Sequence, residues 1–540
     1  MSRRVGRLLQ QLRAAWGVRR APPTIRRRDD ALHAMSCRRD PARARISAET
    51  ARDLLLDEIL DAIDNSLTTL GRQALYARLR SLPDAAERDE LERAIANFAT
   101  SAEEREKLQL LLMRLGDRSD LWDLTDPDAV PAPSWMAWLP VLSIALVGSA
   151  VMVPFWPRAF LVLVPLVFAG IWIRHRLFTR TAHVIAPLRA LGGILDVARE
   201  LSGQAGLASP RRGERIAQAL GVLLPLRAPL LLVGLQGTGN ELLDGLWEYL
   251  NIVLLLDANA MVRVSRALRH HRDALFEVLA FVGDTDVAQS IASLRARPEQ
   301  WSCPTITAEP GYVVTDAWHP LLPDAIRNSI TIGQPAGVLI TGSNMSGKST
   351  WLRTFGTVVL LARTVNTVPA TGYRGPASIV CSGMRSDDDL ESGKSSYLSQ
   401  AERVVAMIKE SGELEPRMFL LDEVFRGTNT NERIAAAEGV LRELLRSRDG
   451  QPSPHVVIAA THDGELVDLL AGLYLPYHFT DAVVDGQLVF HHRLTPGPAQ
   501  SRSALLLLEL LGAPPEMMEA ARHRADLLDQ VRTTGLYLTE

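Results

Sequence analysis

Residues 342–349 read Gly-Ser-Asn-Met-Ser-Gly-Lys-Ser. This is the spacing G-x-x-x-x-G-K-[ST], which works only as a turn between a buried strand and the start of a helix. The flanks supply both. Gly337-Val-Leu-Ile-Thr341 is a short apolar run, and Thr350-Trp-Leu-Arg-Thr-Phe-Gly-Thr-Val-Val-Leu-Leu-Ala362 carries helical patterning. In that frame the turn amides and the helix N-terminus face nucleotide phosphates with favourable dipoles. Lys348 brings a positive charge to the β/γ oxygens, and the Ser349 hydroxyl is placed to ligate Mg²⁺. The nucleotide-binding set is therefore Gly342, Ser343, Asn344, Met345, Ser346, Gly347, Lys348, Ser349 and Thr350.

Downstream, Met418-Phe-Leu-Leu-Asp-Glu423 is an apolar strand ending in two acids. On its own this is a weak signal, because many strands end in acids. Behind a P-loop, Asp422 is expected to hold Mg²⁺ and Glu423 to deprotonate the attacking water. Val456-Val-Ile-Ala-Ala-Thr-His462 is a second buried strand with a polar end. His462 lies where sheet strands present ligand-binding groups, suited to sensing a γ-phosphate or orienting water. The catalytic pair is Glu423 and His462, and the metal pair is Ser349 and Asp422.

The second constraint lies upstream. No charged residue occurs from Pro131 to Pro157. Trp135 to Trp156 is long enough to cross about 30 Å of hydrocarbon as a helix. After a turn at Pro154 and Pro157, a second apolar run, Ala159–Ile173, spans only 15 residues. It crosses only if Arg158 and Arg174 snorkel to the interfaces. Trp135, Trp138, Trp156 and Trp172 mark the ends of the runs, and Arg174, His175, Arg176 and Arg180 form a positive flank that points to the cytoplasmic side. The alternative is a helical pair buried in a soluble core. The lack of a polar face on the first run favours a two-span hairpin with the nucleotide-binding half in the cytoplasm.

A chain of 540 residues, 47% hydrophobic, has room for several domains. The net charge of −3 excludes nothing, but thirteen of the arginines fall in residues 1–45 against three aspartates. Such a block binds anionic lipid or nucleic acid, or is a solvated tail. A transit peptide has the same bias, although the aspartates weaken that reading. The segment is assigned as a disordered tail. Cys37, Cys303 and Cys381 are far apart, match no metal spacing and suit a reducing compartment.

The expected organisation is an all-α core and lever region containing the hairpin, followed by an α/β P-loop domain with a mostly parallel sheet. The boundaries are residues 46–130 (helical, ending in a Pro/Asp-rich linker), 131–180 (hairpin), 181–303 (helical), 304–515 (P-loop domain) and 516–540 (helical tail). Within 181–303, the stretch Asn240–Arg272 has the spacing of a rod.

Several of these motifs together resemble the ATPase of the MutS family. They are Thr341-Gly-Ser-Asn-Met-Ser-Gly-Lys-Ser-Thr350, Ser386-Asp-Asp-Asp-Leu-Glu-Ser-Gly-Lys-Ser-Ser-Tyr397, Leu421-Asp-Glu-Val-Phe-Arg-Gly-Thr-Asn-Thr430 and Ala460-Thr-His462. Asp64-Asn-Ser-Leu-Thr-Thr-Leu-Gly-Arg72 is similar, more weakly, to the start of that family's core domain. With a hydrophobic hairpin, the set resembles the membrane-associated branch of the family. The resemblance implies an ABC-like ATPase using ATP and Mg²⁺, with Asn344 arranging the nucleotide or its water and His462 reading the γ-phosphate. It implies a homodimer with two composite sites, in which Ser395 reaches the partner's ATP and Gly427-Thr-Asn-Thr430 lies at the interface. It loosely places His492 near the adenine.

Two departures stand out. Ser346 replaces a family glycine, which a negative φ tolerates. No Phe-x-Glu triplet occurs in the chain, although mismatch-recognition members use that element as an apolar wedge. Residues 1–45 are also too short a stretch to hold the domain that carries it. No aromatic residue lies between His319 and Gly342 to stack on adenine. The expected function is a membrane-anchored MutS-like ATPase coupled to DNA binding or mismatch-repair-related activity. Arg263, Arg266, Arg269, His270, His271 and Arg272 are its candidate phosphate contacts. The alternative is an ATP-driven mechanochemical membrane protein without DNA recognition. A scaffold with a dead ATPase is disfavoured by the intact Lys348, Asp422 and Glu423. Expected partners are a second copy, DNA and membrane lipid.

Overall fold

The computed structural model describes residues 3–533 apart from 22–27, 44, 117–120, 127–135, 137, 205, 235–244, 246–249, 253, 334–335, 344–345, 385–395, 426–427, 448–449, 485–486, 499–504, 506–507 and 510–511. The chain forms two compact units. One is Met1–Arg43 with Ile63–Arg297, and the other is Ala44–Ala62 with Pro298–Glu540. The boundaries expected at 46 and 304 are thus replaced by a discontinuous second unit. A helical amino-terminal region precedes an α/β region with mixed sheets.

The helical unit is built round Arg272–Arg295, a helix buried almost continuously from Val278 to Leu294. It crosses the helix Thr69–Arg80 where both carry glycine. A Cβ on Gly283 meets Ala74 Cβ at 2.9 Å, and one on Gly71 meets Asp286 Oδ2 at 2.2 Å. This close approach lets Asp286 hold the residues leading into the neighbouring helix, including its cap, Thr68. Its carboxylate accepts from Leu67 N at 2.9 Å, Thr68 N at 2.8 Å and Thr68 Oγ1 at 2.6 Å. Burial still pushes this carboxyl up to about 6.

The Arg-rich start is not a disordered tail where it is described. Arg3–Ala15 and Ala31–Arg39 are helices, and Leu12, Leu32 and Met35 are buried. The arginines pair with carboxylates of later helices: Arg13 with Glu106 at 2.7 Å, Arg39 with Asp273 at 2.7 Å and Arg43 with Glu87 at 2.7 Å. The charge count of the segment alone missed acids that lie far along the chain.

The apolar region also differs from the expected pair of spans. The first run contributes a helix of 14 residues, Leu139–Met152, about 21 Å long at 1.5 Å per residue. The second run opens a helix of 43 residues, Phe160–Ser202. By length and composition two helical stretches suffice to cross a membrane, Pro157–Ser202 and Pro210–Val233. The second of these was not anticipated. Arg174 does not snorkel to an interface. Its Nε bonds the fully buried Asp257 Oδ2 at 2.8 Å. The rod expected at 240–272 is, where described at length, the helix Leu256–His270, which ends before the Arg272–Arg295 helix.

In the second unit, four strands form a small sheet: β1 Thr305–Ile306, β2 Tyr312–Ala317, β3 Asn328–Ile332 and β5 Gly372–Gly375, in the order β1-β5-β2-β3. The larger sheet holds β4 Gly337–Thr341, β6 Ile379–Gly383, β7 Arg417–Asp422, β8 Val456–Ala460, β9 Tyr474–Val484 and β10 Gln487–Pro496. Its order is β10-β9-β4-β8-β7-β6, parallel except for the β9–β10 pair. The buried runs of β4, β6 and β8 reflect helices on both faces, as parallel sheets require.

The amino-terminal segment 44–62 completes this unit. The helix Ala48–Asp53 begins at a Ser47 cap and packs along β6. Leu54 lies against Gly356 of the helix Lys348–Val365, and Arg353 Nε donates to Asp53 O at 3.0 Å.

Candidate nucleotide site

Three parallel strands deliver the site. β4 ends at the loop 342–347, β7 ends at Asp422-Glu423, and β8 leads to Thr461-His462. Neighbouring parallel strands in register end side by side, so residues from 120 positions of chain meet at one sheet edge. Gly342 has φ +138° and Gly347 φ +107°, values that L side chains rarely adopt. A Cβ on Gly347 also comes within 3.0 Å of His492 Nδ1. Ser346, in the place of a glycine, donates its hydroxyl to Ser343 O at 2.8 Å and so braces the loop.

Lys348 is buried at the helix N-terminus. Its Nζ donates to Gly342 O at 2.7 Å and Ser343 O at 2.8 Å, and stands 3.2 Å from His462 Nε2. His462 Nε2 is also 2.7 Å from Glu423 Oε1. One ring nitrogen does not accept from the lysine and donate to the carboxylate at once. The shorter contact assigns its proton to the Glu423 side. The ring is then a donor aimed at the carboxylate, with the ammonium beside both.

The Ser349 hydroxyl hydrogen-bonds Asp422, whose carboxyl is held above its usual range by burial, with Glu423 adding to the effect. Lys348 and Arg353 act in the opposite sense. A half-buried carboxylate beside a hydroxyl and a second acid is a donor set of hard oxygens, which suits Mg²⁺. The phosphate fit rests on the loop itself. Ser343 Oγ is buried and meets no hydrogen-bond partner among the described residues. The two glycines keep the cradle open. Ser349 and Thr350 begin the helix, with their backbone at its positive end.

Beside the loop is a cavity of about 270 Å³, lined by Ala317, His319, Ile326, Asn328, Thr350 and His492 among others. His492 sits at a register shift in β10 with φ +50°, and its Nδ1 is 2.9 Å from Ser346 O. It lines the cavity beside the phosphate loop. Ile326 is an apolar member of that lining. Burial, with the Arg353 charge nearby, lowers His319 to about 4, so its ring is neutral at pH 7.

Two sets of supporting residues were not found by sequence reasoning. Asn328 donates to His492 O at 3.0 Å and accepts from Leu494 N at 2.8 Å, fixing the bulge. Arg433 forks onto Asp463 at 3.0 and 2.5 Å, which holds the turn just after His462. Neither belongs to a motif, and only the fold brings them in. Of the expected site residues, Asn344, Met345 and Ser395 lie outside the described residues, as does Gly427. Arg263, Arg266, Arg269, His270, His271 and Arg272 are all exposed, in the other unit.

Residues 338–529 match the family profile of MutS domain V, the ATPase domain of that family. The chain is 29% identical over 267 residues to the DNA mismatch repair protein MutS of Dinoroseobacter shibae, covering 47% of this chain and 30% of that protein. It is 28% identical over 269 residues to the MutS of Ruegeria pomeroyi, with the same coverage. The chain therefore spans less than a third of the length of these curated relatives. MutS-family ATPases use ATP with Mg²⁺, in keeping with the donors assembled here. Residues 338–529 thus carry a MutS domain V, and about half of the chain is similar to MutS proteins, without full-length similarity.

Proposed function

We propose that this protein is a membrane-anchored ATPase of MutS type. The reading is carried by one observation: Lys348, His462 and Glu423 converge at contacts of 3.2 and 2.7 Å beside the Ser349–Asp422 pair. Lys348 and the loop amides bind the β and γ phosphates, and Ser349 and Asp422 hold Mg²⁺. The cation neutralises charge on the phosphates when bound. Glu423 takes the proton of the attacking water. His462, donating to Glu423, orients that carboxylate and lies within reach of the γ-phosphate. Two copies act together, with Ser395 of each completing the site of the other.

Membrane attachment is supported by apolar side chains that the helical unit leaves uncovered. Trp138, Ile144, Phe155, Leu161 and Phe168 are each more than two-thirds exposed. Such a surface is far more than scattered apolar residues on a soluble protein. Leu139–Met152 and the start of Phe160–Ser202 form the anchor, with the ATPase on the cytoplasmic side. Coupling to DNA is supported by the relatives named as DNA mismatch repair proteins and by the exposed arginines at 263, 266 and 269. The absent Phe-x-Glu wedge favours the second reading, an ATP-driven membrane machine without DNA recognition.

Detergent-purified full-length protein separates these. Magnesium-dependent ATP hydrolysis, lowered about 10²–10⁴-fold by Glu423→Gln with nucleotide binding retained, is the expected result. Unchanged hydrolysis in that variant rejects Glu423 as the base. Retention of duplex DNA that weakens steeply with salt supports the first reading. No retention at low salt leaves the second.

A further inference from the structure

One face of the helix Ser396–Glu410 links the amino-terminal segment of the ATPase unit to the reacting carboxylate. Gln400 and Arg403 are three positions apart and so share that face. Gln400 Oε1 accepts from Phe425 N at 3.1 Å, and its Nε2 donates to Glu423 O at 3.4 Å. The turn it grips is strained. Glu423 has φ +49° and Phe425 φ +61°, both non-glycine residues in the left-handed region. Each such residue is strained and persists only where surrounding contacts impose it. Glu423 N is tied to Ala460 O at 3.0 Å, and Gln400 supplies a second restraint through Glu423 O and Phe425 N.

Arg403 fixes the helix that carries Gln400. Its Nη1 donates to Asp53 Oδ2 at 3.1 Å and to Met384 O at 3.0 Å. Asp53, buried at the end of Ala48–Asp53, also accepts from Ser382 Oγ at 2.7 Å and Met384 N at 3.2 Å. Apolar packing holds the same helix, with Val404 and Met407 buried and Met407 beside Gly383 of β6. A cavity of about 550 Å³ lies between the same elements, lined by Thr50, Ser382, Ser399, Arg403 and Met407 among others. The polar latch ties the helix to the sheet edge beside that packing.

We infer that Gln400 is a positioning residue for Glu423, and that Asp53, through Arg403, holds the helix at the depth this requires. The inference rests on Glu423 as the general base. It gives the amino-terminal segment a part in hydrolysis, although none of its residues lines the cavity beside the phosphate loop. A carboxylate displaced by about 1 Å loses rate on the order of 100-fold, while phosphate binding through Lys348 is untouched.

The test uses full-length protein and a fluorescent ATP analogue for affinity, with kcat measured alongside. Gln400→Leu keeps the side-chain bulk and removes both hydrogen bonds. It is expected to lower kcat about 10-fold or more with affinity within about twofold of wild type. Gln400→Glu keeps the acceptor for Phe425 N and loses the donor to Glu423 O, so it retains more activity than the leucine variant. Asp53→Asn lowers kcat less, and the Asp53→Asn/Gln400→Leu double variant is no slower than Gln400→Leu alone, because both act on one path. Wild-type kcat in Gln400→Leu overturns the inference, as does a parallel loss of affinity, which marks a merely structural residue. Glu423→Gln is run beside them. Wild-type hydrolysis there removes the base assignment on which the inference stands, whereas its loss together with an active Gln400→Leu removes the positioning role alone.

Discussion

The Thr68 hydroxyl donates to Asp286 Oδ2 at 2.6 Å across 218 positions of sequence. Asp286 is fully buried, its three hydrogen bonds do not offset the loss of water, and its carboxyl is pushed up to about 6. An unfolded aspartate titrates near 3.9. Between those values the folded state binds more protons than the unfolded state, so stability falls as pH rises from about 4 to 6 and is level above. The effect is of order 3 kcal/mol at most. Asp286→Asn is expected to remove this slope from urea unfolding of the helical unit measured at pH 4.5 to 7.5. A slope unchanged by the substitution rejects the assignment.

His319 in the ATPase unit carries the opposite sign. Its folded value is lowered to about 4, against about 6.5 unfolded. Between these values the unfolded state binds the extra proton, so the stability from a neutral His319 is complete above pH 6.5 and is lost as pH falls towards 4. Hydrogen exchange at pH 5 and 7 should show β2 and the neighbouring loop loosening on acidification, and His319→Gln should blunt that difference. Equal protection at both pH values in the wild type counts against a buried neutral ring.

Arg174 and Asp257 form an ion pair with 14% and 0% of their side chains exposed. Removing one partner strands a buried charge, which costs about 3–5 kcal/mol. Arg174→Ala is expected to lower the unfolding midpoint of the helical unit by several degrees. The Arg174→Met/Asp257→Leu pair is expected to recover most of it. A double variant as unstable as the single one means that the pair contributes more than mutual neutralisation.

His462 is expected to act through Glu423. His462→Ala removes the donor to Oε1 and is predicted to lower kcat about 10²-fold with little change in nucleotide affinity. Rapid single-turnover measurements distinguish this from slowed product release. A large loss of affinity instead makes His462 a binding group.

The motif-bearing parts of the ATPase unit were legible because each is local. A P-loop, a strand ending in Asp422-Glu423 and a strand leading to His462 are runs of adjacent residues whose types the chemistry dictates. The mostly parallel sheet followed from the same runs. What was missed is non-local. Arg433–Asp463, Asn328–His492 and Asp53–Arg403 join residues with no shared motif, and only tertiary packing selects them. The Arg-rich start misled for the same reason, since its carboxylate partners Glu106 and Asp273 lie on distant helices. In the apolar region, composition located the runs but not the helix ends. Continuous apolar sequence carries no register, and nothing local to Arg174 marks its buried partner Asp257, 83 positions on.

The division of the ATPase unit into 44–62 and 298–540 orders its birth on the ribosome. Leu54, Leu56, Ile59 and Leu60, all fully or almost fully buried in the finished fold, emerge early. Ser382, the partner of Asp53, follows 329 residues later. Through that interval Leu54 waits for Gly356 and Asp53 for the Ser382 hydroxyl, so the stretch is made long before the sheet it covers. A fragment begun at residue 298 is made without it, and its β6 edge then lacks the helix that covers it in the whole chain.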